Sequence, residues 1–251
     1  MRAARRFQSH YSAGKALELA ASHPAVTEAR TLFPGRVGTP PIAWKGKTPL
    51  RVLKSGMHSR KIGSHVVKGA WKGFPIFTLT LEERATCPPY CEHWRTCYGN
   101  AMDKATRQVA GPDLEGKLSR ELAALQKRHS RGFVVRLHVL GDFYSVAYVD
   151  QWARWLRAFP ALHVFGYTAH RPSSDIGSAI VALRVTRAGR FMVRHSNAGL
   201  GYRTRSIHVA SEAMAGEIVC PAQSHAKADA ICCGSCALCW STVKAICFLE
   251  H

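Results

Sequence analysis

The chain of 251 residues has no apolar run approaching the ~18 residues that a membrane-crossing helix needs. Its N-terminus, MRAARRFQSHYSAGKALELAASHPA, starts with arginines as a secretory signal does, but Lys15 and Glu18 interrupt the apolar stretch before an h-region forms. A soluble, cytoplasmic protein with no membrane partner is expected. Other chemistries lack their motifs as well. No Gly-rich loop runs into Lys-Ser/Thr, so there is no P-loop. Gly199 and Gly201 lack the third glycine of a dinucleotide fingerprint, and no serine stands in a nucleophile-elbow context.

Acidic residues are scarce: 16 Asp and Glu oppose 35 Lys and Arg, for a formal charge of +19. Residues 1–74 hold fourteen of the basic residues and only Glu18 and Glu28, so +12 of that charge sits in the first third. Such a segment is either a solvated basic face or a contact surface for nucleic acid, because charge reports affinity for phosphate without naming the ligand. Trp44 and Trp71 are its candidate stacking residues, with core packing as the simpler role. With 47% hydrophobic and 20% charged residues the composition is that of a folded protein.

Cysteine is absent between residues 98 and 219, and the nine present fall into two groups. Tight spacing in a chain without a secretory signal favours metal or redox chemistry over disulfides. The second group reads Cys233-x2-Cys236-x2-Cys239, with Cys220-Pro221 upstream as the fourth thiolate. Three cysteines at x2 intervals wrap a loop round a cube, with the remaining ligand from a distant Cys-Pro, which points to a [4Fe–4S] cluster. Zinc is the alternative. Cys232 is a spare, and Cys247, in an apolar stretch, is a core residue. The first group, TCPPYCEHWRTCYGN, supplies Cys87, Cys91 and Cys97 and no local fourth cysteine. Three thiolates on a cubic cluster leave one iron open to a small molecule; alternatively His93 closes a Cys3His zinc site.

The remaining pattern alternates. Residues 1–74 are rich in Gly and Pro and predict irregular structure, with a short helix over Ala13–Ala21 and a hairpin around Ser64–Trp71. A strand over Ile76–Leu81 precedes the first cysteine loop, and Gly111-Pro112-Asp113 opens a helix with Leu114, Leu118, Leu122 and Leu125 on one stripe. Phe133–Leu140 predicts a strand with Phe133, Val135, Leu137 and Val139 on one side and Val134, Arg136 and His138 on the other. Helices over Tyr148–Phe159 and Ser174–Leu183 alternate with strands over His163–Thr168, Arg190–His195 and Ile207–Ala210. This order predicts an α/β fold, a partial (β/α) barrel with parallel strands. Three parts follow: a basic N-terminal extension (1–74), the partial barrel (75–215) and a cysteine-rich metal-binding segment (216–251). Polar residues at inward and C-terminal strand positions would line the functional mouth. They are Arg136, His138, Asp142 and Tyr144, then Tyr167, His170 and Arg171, then Arg194, His195, Ser196 and Asn197, and last Ser211 and Glu212.

The cysteine loop, RLHVLGDFYS, FGYTAH and the terminal CPAQ…CGSCALCW together resemble a family of bacterial, phage and plasmid proteins, the gene-product-eighty-eight-like proteins, over about residues 55–251. That resemblance carries no activity with it. More distantly, a strand, a three-cysteine loop, a helix and a second strand ending in a Gly-acidic pair are similar to the opening of a radical S-adenosylmethionine enzyme. The likeness implies that Cys87, Cys91 and Cys97 hold a [4Fe–4S] cluster whose open iron chelates the cofactor. Gly141-Asp142 stands where that superfamily has Gly-Gly-Glu. It implies reductive cleavage of the sulfonium to a deoxyadenosyl radical, with the second cluster auxiliary. Two departures stand out: the loop spacing is x3 then x5 where x3 then x2 is common, and Asp142 is one methylene shorter than Glu. The expected enzyme would use Arg136, His138, Asp142 and Arg194 in catalysis and Gly141, Asp142, Tyr167 and Ser196 toward the cofactor, on an anionic substrate such as nucleic acid. The competing expectation is a nucleic-acid-binding protein in which both metal sites are structural.

Overall fold

The computed structural model describes residues 17–38, 51–197, 202–224 and 231–250. Trp44, Gly199 and residues 13–16 of the predicted first helix lie outside them. Residues 17–20 are not helical; a short α1 (Pro24–Thr27) follows instead, under a His23 cap. Leu19 is held on both sides by Arg95, its N–H donating to the Arg95 carbonyl at 3.2 Å and its carbonyl accepting Arg95 Nε at 2.9 Å.

β1 (Lys54–Ser55) pairs antiparallel with β2 (Ile76–Thr78). Between them the hairpin forms with arms near 64–66 and 73–76, closed by Val66 N–H to Phe74 O at 2.9 Å and Gly73 N–H to Val66 O at 2.8 Å. Trp71 sits in its turn and stacks on Trp240 at 5.1 Å, buried to 4% exposure, so its role is packing.

From there strands and helices alternate. α2 (Pro112–Arg128) begins with Pro, Asp113 and Glu115 and ends with Lys127 and Arg128, charges that complement its dipole, and buries the four leucines of the predicted stripe. β3 (Phe133–Leu137), α3 (Val146–Ala158), β4 (Leu162–Thr168), α4 (Asp175–Thr186), β5 (Phe191–Ser196) and β6 (Arg203–Ile207) follow. Ser145 and Ser174 cap α3 and α4 through their hydroxyls, which moves both starts relative to the apolar pattern. The C-terminal part adds β7 (Ile218–Val219), α5 (Pro221–Ser224), α6 (Cys233–Cys236), α7 (Leu238–Ser241) and β8 (Ile246–Leu249).

Among the described residues the strands form one eight-stranded sheet in the order β1-β2-β3-β4-β5-β6-β8-β7, parallel except for β1. The fold is mixed α/β. One face of the sheet packs under α2, α3 and α4 through Phe133, Val135, Leu162, Val164, Phe191 and Val193. The other carries Val134, Phe165, Met192 and Ile246 against the hairpin, α6 and α7. No helix among the described residues is long and apolar enough to cross a membrane.

Two predicted strands need correction. The alternation of β3 stops at His138, whose φ of +37° is left-handed. That reversal sends Val139 to the Val134 side and puts His138 beside Phe143 (4.7 Å) and Tyr148 (5.8 Å) on the helix side, opposite to the reading from periodicity. The predicted Ile207–Ala210 strand is displaced: β6 ends at Ile207 and begins at Arg203, in a polar run with no hydrophobic alternation to signal it.

Candidate metal centres

The first cysteine loop follows β2 and crosses the C-terminal ends of the parallel strands. A buried polar frame holds it. Glu83 receives Arg107 Nε at 2.7 Å, Arg107 Nη2 at 2.9 Å and the Thr31 hydroxyl at 2.7 Å. Arg84 donates to the Trp94 carbonyl at 2.8 Å and to Asn100 Oδ1 at 2.6 Å. At its far side Arg171 lies over the Tyr90 ring at 4.6 Å, Asn197 donates to Glu92, and His93 Nε2 pairs with Ser206 Oγ at 2.9 Å. His93 Nδ1 faces the Thr96 hydroxyl at 3.4 Å, so both imidazole nitrogens engage hydroxyls rather than joining the cysteines.

Within this frame Cys87, Cys91 and Cys97 remain unpaired thiols. Burial is the main force raising each of them, Cys91 to about 11; Cys87 also feels Cys91 and Cys97, Cys91 feels Cys97, and Cys97 answers to Glu83, Arg84 and Arg107. Asp142 adds to the repulsion on Cys87 and Cys91. A cation or cluster at this point would offset that repulsion and turn thiols into thiolates.

Gly141-Asp142 is built as a joint. Gly141 has φ +79°, and a Cβ there would stand 2.5 Å from Thr86 Oγ1 and 2.6 Å from Leu81 Cβ, so only glycine allows the turn. Asp142 accepts Phe143 N–H and Ala169 N–H, each at 2.7 Å, and its own N–H donates to Thr86 Oγ1 at 3.1 Å. Burial pushes its carboxyl up, while His170 and these N–H groups pull it down. Asp142 therefore ties the ends of β3 and β4 together through its carboxylate and to the start of the cysteine loop through its N–H.

The second group gathers after β7 and along α6 and α7. Cys220 feels Cys239 and Cys236, Cys233 feels Cys239 and Cys220, and burial lifts the Cys220 thiol to about 11 and raises those of Cys233 and Cys239. These are the four cysteines assigned together from spacing. Cys232 lies apart: its N–H donates to Ser235 Oγ at 3.0 Å as the α6 cap, and its sulfur rests against Gly63. Cys247 is fully buried in β8, with its sulfur 3.2 Å from Glu217 Oε2.

The predicted strand-end residues divide. Arg194 is buried and spends its guanidinium on main chain, donating to Cys239 O at 2.8 Å, Lys244 O at 2.9 Å and Thr242 O, the carbonyls at the end of α7. It anchors the cysteine segment. Tyr167 belongs to the second group, its hydroxyl 2.8 Å from Cys239 Sγ. Arg136 lies over the Tyr167 ring at 4.5 Å, within the field of Cys233, Cys239 and Tyr98. His138 is sealed in the helix-side core, where burial lowers its pKa to about 3. Ser196 stands at the end of β5, 3.5 Å from the Thr204 hydroxyl. Two residues escaped the sequence reading. Lys61, from the hairpin segment, senses Cys233, Cys220 and Cys239, and Tyr98 senses Cys97 and Cys87 as well as Arg136. Tyr98 follows Cys97 directly, a proximity that could have drawn attention to it; nothing near Lys61 signals a site 160 residues or so downstream.

Among the described residues no group of three or more His, Cys, Asp or Glu side chains is placed to hold a metal ion. The donor chemistry of both groups, free thiols with cationic neighbours and no disulfide, fits a thiophilic centre such as iron–sulfur or zinc.

A mixed α/β chain with one thiol group on a loop at the C-terminal ends of a mostly parallel sheet, and a second against the sheet face opposite α2–α4, defines the class. Within it, the family model described as gene product 88 matches residues 53–242, and the chain belongs to that family. No curated protein and no solved structure matches it.

Proposed function

We propose that this is an iron–sulfur protein of the radical S-adenosylmethionine-like type, built on a partial (β/α) barrel, with a three-cysteine [4Fe–4S] site and a second cluster on the C-terminal cysteines. One observation carries the reading: the loop of Cys87, Cys91 and Cys97 is pinned across the strand ends through Thr86, Tyr90, Glu92 and His93, with the three thiols unpaired and His93 turned to hydroxyl partners. Three thiolates without a protein fourth ligand leave an iron open. When bound, the cluster and S-adenosylmethionine would supply reductive cleavage and hydrogen-atom abstraction.

The chain's own residues would hold and orient. The Glu83–Arg107 and Arg84–Asn100 frame fixes the loop, and Asp142 acts as a positioning residue, because its oxygens already serve Phe143 and Ala169. Arg136, whose charge reaches both Tyr98 beside the first group and Cys233 of the second, would receive an anionic substrate. Nine unpaired cysteines suit a reducing compartment such as the cytoplasm.

The test is anaerobic purification with iron, sulfide and zinc quantification and an electron paramagnetic resonance spectrum of the reduced protein with and without S-adenosylmethionine. About eight irons per chain and a spectrum changed by the cofactor support the reading. Zinc alone, or iron indifferent to the cofactor, overturns it.

A second reading, a metal-stabilised nucleic-acid-binding protein, draws on the charge of +19. Exposed Lys127, Arg128, Arg131 and Arg157 lie at or just past the C-terminal ends of α2 and α3, away from the cysteine loops. It requires binding to duplex or single-stranded nucleic acid that weakens steeply with salt and needs no small cofactor.

A further inference from the structure

We propose that Tyr167 tunes the C-terminal centre: its hydroxyl donates a hydrogen bond to the Cys239 sulfur and raises the potential at which that centre accepts an electron. The inference rests on the iron–sulfur reading above and concerns a different residue set from the open-iron site.

Ligation of Cys239 fixes the direction of the bond. Tyr167 Oη lies 2.8 Å from Cys239 Sγ. A metal-bound cysteine has lost its proton, so the phenol must be the donor. The ring cannot swing away. Arg136 lies on one face at 4.5 Å, and the Phe248 ring meets it at 5.3 Å with an interplanar angle of 81°. A cation over the ring draws density from the phenol and strengthens the O–H as a donor. Main-chain bonds fix the sulfur's side too, because Arg194 holds the Cys239 carbonyl at 2.8 Å.

A cluster held by these cysteines would go from its 2+ to its 1+ core by taking one electron from a chemical reductant such as dithionite, with no bond broken and no proton moved. Added negative charge on the sulfurs strengthens a hydrogen bond made to them, so the reduced state gains more and the potential rises. Lys61 and Arg136, both within the field of the same thiols, act in the same direction.

The experiment uses the full-length Tyr167→Phe protein, purified anaerobically, with metal quantification and a redox titration followed by electron paramagnetic resonance. The C-terminal signal is the one that Cys236→Ser abolishes. Phenylalanine keeps the ring between Arg136 and Phe248 and removes only the hydroxyl. The expected result is unchanged iron and, at fixed solution potential, an about tenfold lower ratio of reduced to oxidised C-terminal centre, equivalent to ~59 mV for one electron. The other centre keeps its potential. Arg136→Gln, which leaves the hydroxyl, should move the same signal the same way by less. Bound iron at an unchanged potential overturns the inference alone, as does a Tyr167→Phe protein that loses the centre, since that marks a structural role. Zinc in place of iron overturns the inference together with the iron–sulfur reading.

Discussion

Both carboxylate oxygens of Asp142 accept main-chain N–H groups in a site with 3% exposure. Asp142→Ala would leave two buried donors unpaired, and urea denaturation should show a loss of roughly 2–4 kcal/mol. Gly141→Ala combines a left-handed φ of +79° with contacts of 2.5 and 2.6 Å, and should cost at least the ~1–3 kcal/mol of a strained residue. His138 gives a pH signature. Its folded pKa of about 3 lies below the ordinary histidine value of 6.5, and its Nδ1 is buried without a partner among the described residues. Between those values the unfolded chain binds a proton that the fold refuses. Stability is therefore full above about pH 6.5 and falls as pH drops toward 3, by ~1.4 kcal/mol per pH unit from this group. Asn tolerates the left-handed backbone, so His138→Asn should flatten that part of a stability-against-pH curve. A catalytic histidine was the expectation here, and the alternation of apolar residues gave no warning of the reversed backbone.

At the scale of elements, α2 and α3 are legible because leucines and tryptophans recur at helical spacing behind Pro112 and Ser145, and α4 is marked by Ser174. β3, β4 and β5 were legible from alternation; β6 was not, since Arg-Thr-Arg-Ser-Ile buries only Thr204 and Ile207. α6 and α7 have four residues each, far too short to persist alone, so what surrounds them decides their order. Arg194 is the main-chain part of that support. Arg194→Met should release the carbonyls of Cys239, Thr242 and Lys244 and lower thermal stability; if both groups hold the proposed clusters, it should also reduce iron at the C-terminal group while the first group keeps its own. Iron per chain, measured in an Arg194→Met, Cys87→Ala double variant beside Cys87→Ala alone, would separate the two losses.

Across the whole molecule, the order of strands and helices announced the α/β class, and cysteine spacing announced which thiols share a field. What the spacing could not convey is how the groups relate in space. Arg136 acts on Cys233 and on Tyr98, which itself feels Cys97 and Cys87, and Lys61 acts on the second group from a segment far back in the chain, because strand pairing collects residues that are remote in sequence. If the two groups hold separate clusters, Cys236→Ser should lower iron from about eight to about four per chain without touching the response to S-adenosylmethionine; complete loss would show one coupled unit.

β8 lies between β6 and β7 and is parallel to both. β7 is made nearly thirty residues before the strand it pairs with, and it has no other neighbour in the sheet. On a translating ribosome it must wait with Cys220 beside it until residues 246–249 emerge. A centre that includes Cys220 is thus completed after synthesis of this segment, and a stop codon just before residue 246 would remove the sheet's closing strand and the seating of that thiol in a single event.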